Sequence, residues 1–198
     1  MKPNVIPHLH AINQVERTQA NGHQAKVIWF VGLSGSGKST LAGALETYLF
    51  GKGYKTYVLD GDNIRSGLNS DLDFSEEGRH ENIRRISEVA KLLNDAGMIV
   101  LTAFISPFEA GRAQARTLIG TENFIEIFVE CPIEICEKRD VKGLYAKARK
   151  GLIPDFTGIS APFEVPDHSD LIVKTHTSNL EDCLKQMVNY IEPILKLK

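Results

Sequence analysis

The chain has 198 residues, 42% of them hydrophobic and 24% charged, with 23 Lys+Arg against 25 Asp+Glu. That size and mixture fit one soluble domain with a full core, and exclude a disordered tract or a collagen-like repeat. A formal net charge of −2 excludes a protein that coats nucleic acid wholesale, but leaves room for a local anion site.

Residues 1–24 lack the apolar stretch and small-residue cleavage pattern of a secretory signal and read as an N-terminal arm. Residues 4–23 could reach a partner. Residues 27–31 are apolar and form the first predicted strand. A glycine-rich turn follows, then a helix carrying Leu41, Ala44, Leu45, Tyr48 and Leu49 at helical spacing, ended by Gly51 and Gly53. Residues 56–59 form a second strand that runs into Asp60-Gly61-Asp62. A long helix over 76–96 has Ile83, Ile86, Ala90 and Leu93 on one face, with Gly97 where a C-cap belongs. Strands over 99–105 and 124–130 are continuous apolar runs, as parallel strands buried on both faces should be. Residues 143–168 are rich in Gly and Pro and weakly periodic, and read as a long loop or lid. Loops of that length are usually functional. Residues 171–174 form the last strand, and residues 179–197 a closing amphipathic helix with Leu180, Leu184, Met187, Val188 and Ile191.

Strands alternating with helices predict an α/β domain, a parallel sheet covered by helices on both faces. Three cysteines are too few and too scattered for a disulfide scaffold or a zinc site, and read as half-buried thiols in a reducing cytoplasm. No apolar run is long enough to span a membrane.

The strongest chemical signal is Gly32-Leu33-Ser34-Gly35-Ser36-Gly37-Lys38-Ser39, followed by Thr40. It follows a strand and opens a helix, the context a phosphate-binding loop requires. Glycines let the backbone wrap around phosphates, and the helix N-terminus adds a favourable dipole. Lys38 would reach the β- and γ-phosphates of a nucleoside triphosphate, and the Ser39 hydroxyl would ligate Mg²⁺. Asp60 and Asp62 lie past the carboxyl end of the second strand, where open parallel sheets bind ligands. A carboxylate there can hold Mg²⁺ or orient a nucleophilic hydroxyl; an ordinary capped turn is the alternative. Arg65, Arg79, Arg84, Arg85 and Asn82 follow. Arg79 and Asn82 are three apart, so they share a helix face and could clamp an anion together.

Taken in order, residues 32–40, 60–65, 79–85, 105–107, 141–145 and 156–159 resemble the adenylylsulfate kinase (APS kinase) family, and the similarity runs from about His10 to the last helix. The resemblance implies a single-domain P-loop kinase fold over 25–198, with a mobile lid over roughly 138–165. The implied reaction is MgATP plus adenosine 5′-phosphosulfate (APS) giving ADP and 3′-phosphoadenosine 5′-phosphosulfate (PAPS). It implies Lys38, Asp62 and Ser106 as catalytic, with Asp62 on the ribose 3′-hydroxyl and Asp60 near the metal. Arg65, Arg79 and Asn82 would bind the phosphosulfate, Phe74 and Phe156 would sandwich the adenine, and Ile105 and Ser106 would contact the substrate. Lys142, Leu144, Thr157 and Gly158 belong to the lid, and Arg139 lies near the ATP adenine. Ser106 matches a serine described in the family as a phosphoserine. The chemistry favours a hydrogen-bonding serine instead, since ATP and an oriented hydroxyl can react in line. Core packing is the alternative role for Phe74 and Phe156. A homodimer in the cytoplasm is also implied.

Asp73, Phe108, Glu109 and Phe163 depart from the family pattern, and Glu109 replaces an arginine. Competing readings are another small P-loop kinase, or a non-catalytic module that binds APS or PAPS. The second has no need of Lys38 and Ser39. Residues 138–150 hold six Lys+Arg against Asp140, a local excess of five positive charges that leaves seven net negative charges elsewhere.

Overall fold

The computed structural model describes residues 6, 8 and 10–197. Five parallel strands, β1 (Val27–Val31), β2 (Thr56–Asp60), β3 (Ile99–Ala103), β4 (Phe124–Glu130) and β5 (Leu171–Lys174), form one sheet in the order β2-β3-β1-β4-β5. Helices α1 (Gln14–Asn21), α2 (Lys38–Gly51), α3 (Gly61–Arg65), α4 (Glu76–Asp95), α5 (Glu109–Ile119), α6 (Ile133–Arg139), α7 (Leu144–Arg149) and α8 (Leu180–Leu195) complete it.

All residues of β1 and β3 are buried, because helices cover both faces. Alternate residues point to opposite faces. Ile28 and Phe30 pack with α2 and α8, while Val27 and Trp29 pack with α4 and α5. A third, smaller cluster joins Cys131, Cys136, Tyr145 and Phe156 beneath residues 144–159. The carboxyl ends of the strands therefore converge on the start of α2, α3 and the residues after β3.

The strands follow the sequence reading except at two ends, β2 running one residue further, to Asp60. The third strand stops at Ala103 rather than residue 105, because the β1–β3 ladder ends at Phe30↔Ala103. Ile105 instead accepts a hydrogen bond from the Gly32 amide (3.4 Å). The segment 143–168 is not all loop: it holds α7, whose first turn is capped when the Asp140 carboxylate accepts from the Tyr145 and Ala146 amides (3.0 Å each). Six residues are too few for a helical period to show in sequence. The sequence reading also assigns no helix at α1, α3, α5 or α6.

Of the N-terminal arm, residues 1–5, 7 and 9 lie outside the described residues. Its described part includes α1, closed at the start by reciprocal Asn13–Glu16 hydrogen bonds. This helix lies on the end of α4 in the same chain: Gln14 donates to Asn94 Oδ1 (2.6 Å) and Asn21 to the Gly97 carbonyl (2.9 Å).

Candidate active site

The phosphate loop runs from the end of β1 into α2. Gly32 approaches β4 so closely that a Cβ would sit 2.7 Å from the Val129 carbonyl, so only glycine fits. Gly37 has φ of 104° and serves as the N-cap of α2, which leaves Lys38 and Ser39 as its first residues. Lys38 is 8% exposed, and its ammonium donates to the Leu33 carbonyl (2.7 Å). Burial pulls its pKa down to about 8.

Asp60 ends β2 and caps α3, accepting from the Asp62 amide through Oδ1 (3.0 Å). Its Oδ2 accepts from the Ser39 hydroxyl (2.6 Å). A hydroxyl and a carboxylate oxygen thus converge beside the phosphate loop, the donor set a hard divalent cation takes when substrate phosphates and water supply its remaining ligands. No group of three or more His, Cys, Asp or Glu side chains among the described residues could hold a metal alone. Asp62 reaches outward, and its described partner is Lys142.

A cavity of about 660 Å³ joins these groups to the arginine cluster. Of the predicted residues, Ser34, Gly35, Gly37, Lys38, Ser39, Thr40, Asp60, Asp62, Arg65, Phe74, Arg79, Asn82, Ile105, Ser106, Arg139, Lys142, Leu144, Phe156 and Thr157 line it. Gly32, Leu33, Ser36 and Gly158 do not. Ser36 is fully buried, and Leu33 lies under the lid, where a Cβ at Gly158 would meet it at 3.0 Å.

At one end Arg65 stacks over the exposed Phe74 ring (4.2 Å) and donates to the Leu72 and Asp73 carbonyls. Arg79 is buried and its donors are taken by the Phe74 carbonyl (2.9 Å), Thr157 Oγ1 (2.7 Å) and the Asp155 carbonyl. It ties residues 155–157 to α4. The Arg79 and Asn82 side chains share the cavity wall, and both are held by protein, Asn82 Oδ1 accepting from Asn69 Nδ2 (3.0 Å). Phe156 is also buried, against Tyr145 (5.0 Å), yet it lines the cavity. At the other end Arg139 donates to the Thr175 carbonyl (2.6 Å) and to the Gly35 carbonyl (3.3 Å), bracing the phosphate loop.

The departures from the family pattern find partners. Asp73 Oδ1 accepts from the Ser75 amide (3.1 Å) and hydroxyl just before α4, which holds its carboxyl below the usual carboxylate range. Glu109 pairs with the buried Arg112. The cysteines are free and buried, and burial pushes the Cys136 thiol up to about 12, so it stays an inert thiol.

The sequence reading missed three contributors. Tyr145 Oη donates to the Ser34 carbonyl (2.9 Å). Trp29 and Arg112 both hold Ser106, one of two described non-glycine residues with positive φ (47°). Such a conformation costs about 1–3 kcal/mol and persists only where neighbours fix it. Nothing local in the sequence signals these links, because Trp29 and Ser106 are 77 residues apart.

A phosphate loop at the head of a helix, a hydroxyl–carboxylate pair beside it and an arginine-rich cavity on a parallel sheet define a P-loop kinase. The adenylylsulphate kinase family model matches residues 24–174. An adenylyl-sulfate kinase of Prochlorococcus marinus is 53% identical over 94% of this chain and 92% of that protein, and one of Shewanella amazonensis 52% identical over 95% of each. Among solved structures, the Mycobacterium tuberculosis APS kinase in complex with AMPPNP and APS is 46% identical, with a TM-score of 0.82 over 85% of this chain and 98% of that one. The chain belongs to the adenylylsulfate kinase family.

Proposed function

We propose that this chain transfers the γ-phosphate of MgATP to the ribose 3′-hydroxyl of APS, giving ADP and PAPS. The observation that carries the reading is one cavity lined by the phosphate loop with Lys38, by Asp62 and by Arg65, Phe74 and Asn82. The M. tuberculosis kinase solved with AMPPNP and APS supports the same pairing of ligands.

Phosphoryl transfer needs positioning and charge neutralisation more than covalent help. Amides at the α2 N-terminus and the Lys38 ammonium would hold the β- and γ-phosphates. Ser39 and Asp60 would hold Mg²⁺, which when bound neutralises phosphate charge. Asp62 would accept a hydrogen bond from the 3′-hydroxyl and point its oxygen lone pair at the γ-phosphorus. For that it must leave Lys142, whose ammonium is then free to face the transferring phosphate. Phe74 and Phe156 would flank the APS adenine, and Arg65, Asn82, Ile105 and Ser106 its phosphosulfate. Arg79 joins them only once it releases the lid carbonyl. Leu144, Thr157 and Gly158 close over the pair from the lid, and Arg139 supports the nucleotide end. A homodimer acting in the cytoplasm belongs to the same reading.

Asp62→Asn keeps the shape but loses the acceptor charge. It should lower kcat by about 10²–10⁴-fold while changing the KM for APS little, measured by coupled ADP release. An unchanged kcat would remove Asp62 from the reaction.

A further inference from the structure

Ser106 sits where β3 leaves the sheet, on the wall of the cavity, and its conformation is unusual twice over. Its φ of 47° is left-handed, and it precedes Pro107, which disfavours helical backbone in the residue before it. Two buried side chains hold it. Arg112, 2% exposed, donates from Nη1 to the Ser106 carbonyl (2.8 Å) and is balanced by Glu109 and by Glu126, whose carboxylate is 3.8 Å from its Nε. Trp29, fully buried in the centre of the sheet, donates from Nε1 to Ser106 Oγ (3.0 Å).

The chemistry of that second bond has a direction. An indole N–H only donates, so Ser106 Oγ must accept from it. The serine hydroxyl proton is then left over. No acceptor among the described residues takes it, although Ser106 is 2% exposed and lines the cavity. A buried hydroxyl with a spare proton facing a cavity is a donor waiting for an oxygen, and an anionic one suits it best.

We propose that Trp29 is a positioning residue for the reaction: without touching substrate, it fixes the Ser106 rotamer so that the hydroxyl proton points at an anionic oxygen of APS. Arg112 fixes the backbone on which that hydroxyl is mounted. This rests on the reading of the cavity as the APS site, and it deepens it by adding a residue from the sheet interior.

The test is a pair of substitutions and their combination. Trp29→Phe keeps an aromatic ring and deletes the N–H; Ser106→Ala deletes the hydroxyl. Each should raise the KM for APS about tenfold and leave the KM for ATP within about twofold, and the double variant should be no worse than Ser106→Ala alone. Multiplying effects, or a Trp29→Phe enzyme with unchanged KM for APS and only a lower Tm, would overturn the proposal. If Ser106→Ala leaves the KM for APS unchanged, the proposal falls while the kinase reading, scored separately by PAPS formation, stands.

A second measurement needs no substitution at Trp29 and no turnover. Trp29 is the only tryptophan, so protein labelled with ¹⁵N-tryptophan gives one indole N–H resonance. Donation by the serine hydroxyl to an anion makes Oγ a better acceptor, which strengthens the indole bond. Adding APS to the AMPPNP-loaded protein should move that proton downfield, and should not in Ser106→Ala. An unmoved resonance in the wild-type protein contradicts the proposal.

Discussion

Lys38 shows how burial sets chemistry at a single residue. Its ammonium is buried against the Leu33 carbonyl, and burial lowers its pKa from 10.5 to about 8. Below about 8 the group is charged both folded and unfolded, and the folded state bears the cost of burying it. Between about 8 and 10.5 the unfolded chain binds more protons, so this group's contribution to stability improves as pH rises. Lys38→Met removes that dependence. Urea denaturation should find the wild type less stable than Lys38→Met below pH 8, with the gap closing towards pH 10; a gap that stays constant would show that the buried ammonium is not the cause. The phosphate-loop residues, Asp60 and Asp62 were legible because their spacing lies within one short segment of chain. Trp29 was not: in sequence it is one apolar residue of a buried strand, and only the pairing of β1 beside β3 brings its N–H to Ser106. Arg112 escaped for the same reason, since an arginine inside a helix ordinarily faces solvent.

Among the elements, the strands and the long helices α2, α4 and α8 were legible because they carry sustained apolar patterns. The short helices α3, α6 and α7 were not, since five to seven residues hold less than two turns and their starts depend on tertiary caps. The start of α4 illustrates such dependence. Gly78 has ordinary helical φ, yet a Cβ there would fall 2.7 Å from the Asp73 carbonyl, inside the turn that Asp73 and Ser75 build. Gly43, within α2, has open space at the same place. Gly78→Ala should therefore destabilise by about 1–3 kcal/mol, whereas Gly43→Ala should stabilise by about 0.5–1 kcal/mol. Equilibrium denaturation of the two proteins checks both signs; stabilisation by both would mean that the Asp73 turn yields freely.

For the whole molecule, the near-neutral charge conceals a basic segment, residues 138–150, on an acidic body. The fold gives that segregation a use. Lys142 stands over Asp62, Arg139 braces the phosphate loop, and Tyr145 ties α7 to Ser34, so the basic segment borders the cavity from the lid side. Arg149, by contrast, pairs with Glu137 on the surface. Arg79 ties residues 155–157 to α4 through Thr157 Oγ1 and the Asp155 carbonyl. In the proposed reaction, cations on this segment would neutralise the two nucleotide anions together, which would couple chemistry to the presence of acceptor. The most direct test of this account is ADP release from MgATP by the purified chain, with and without APS, with the products identified by mass. ADP and PAPS should appear together, one for one, and ADP release should be negligible when APS is withheld. Equal ADP release without APS, or ADP formed in the presence of APS without PAPS, would contradict it.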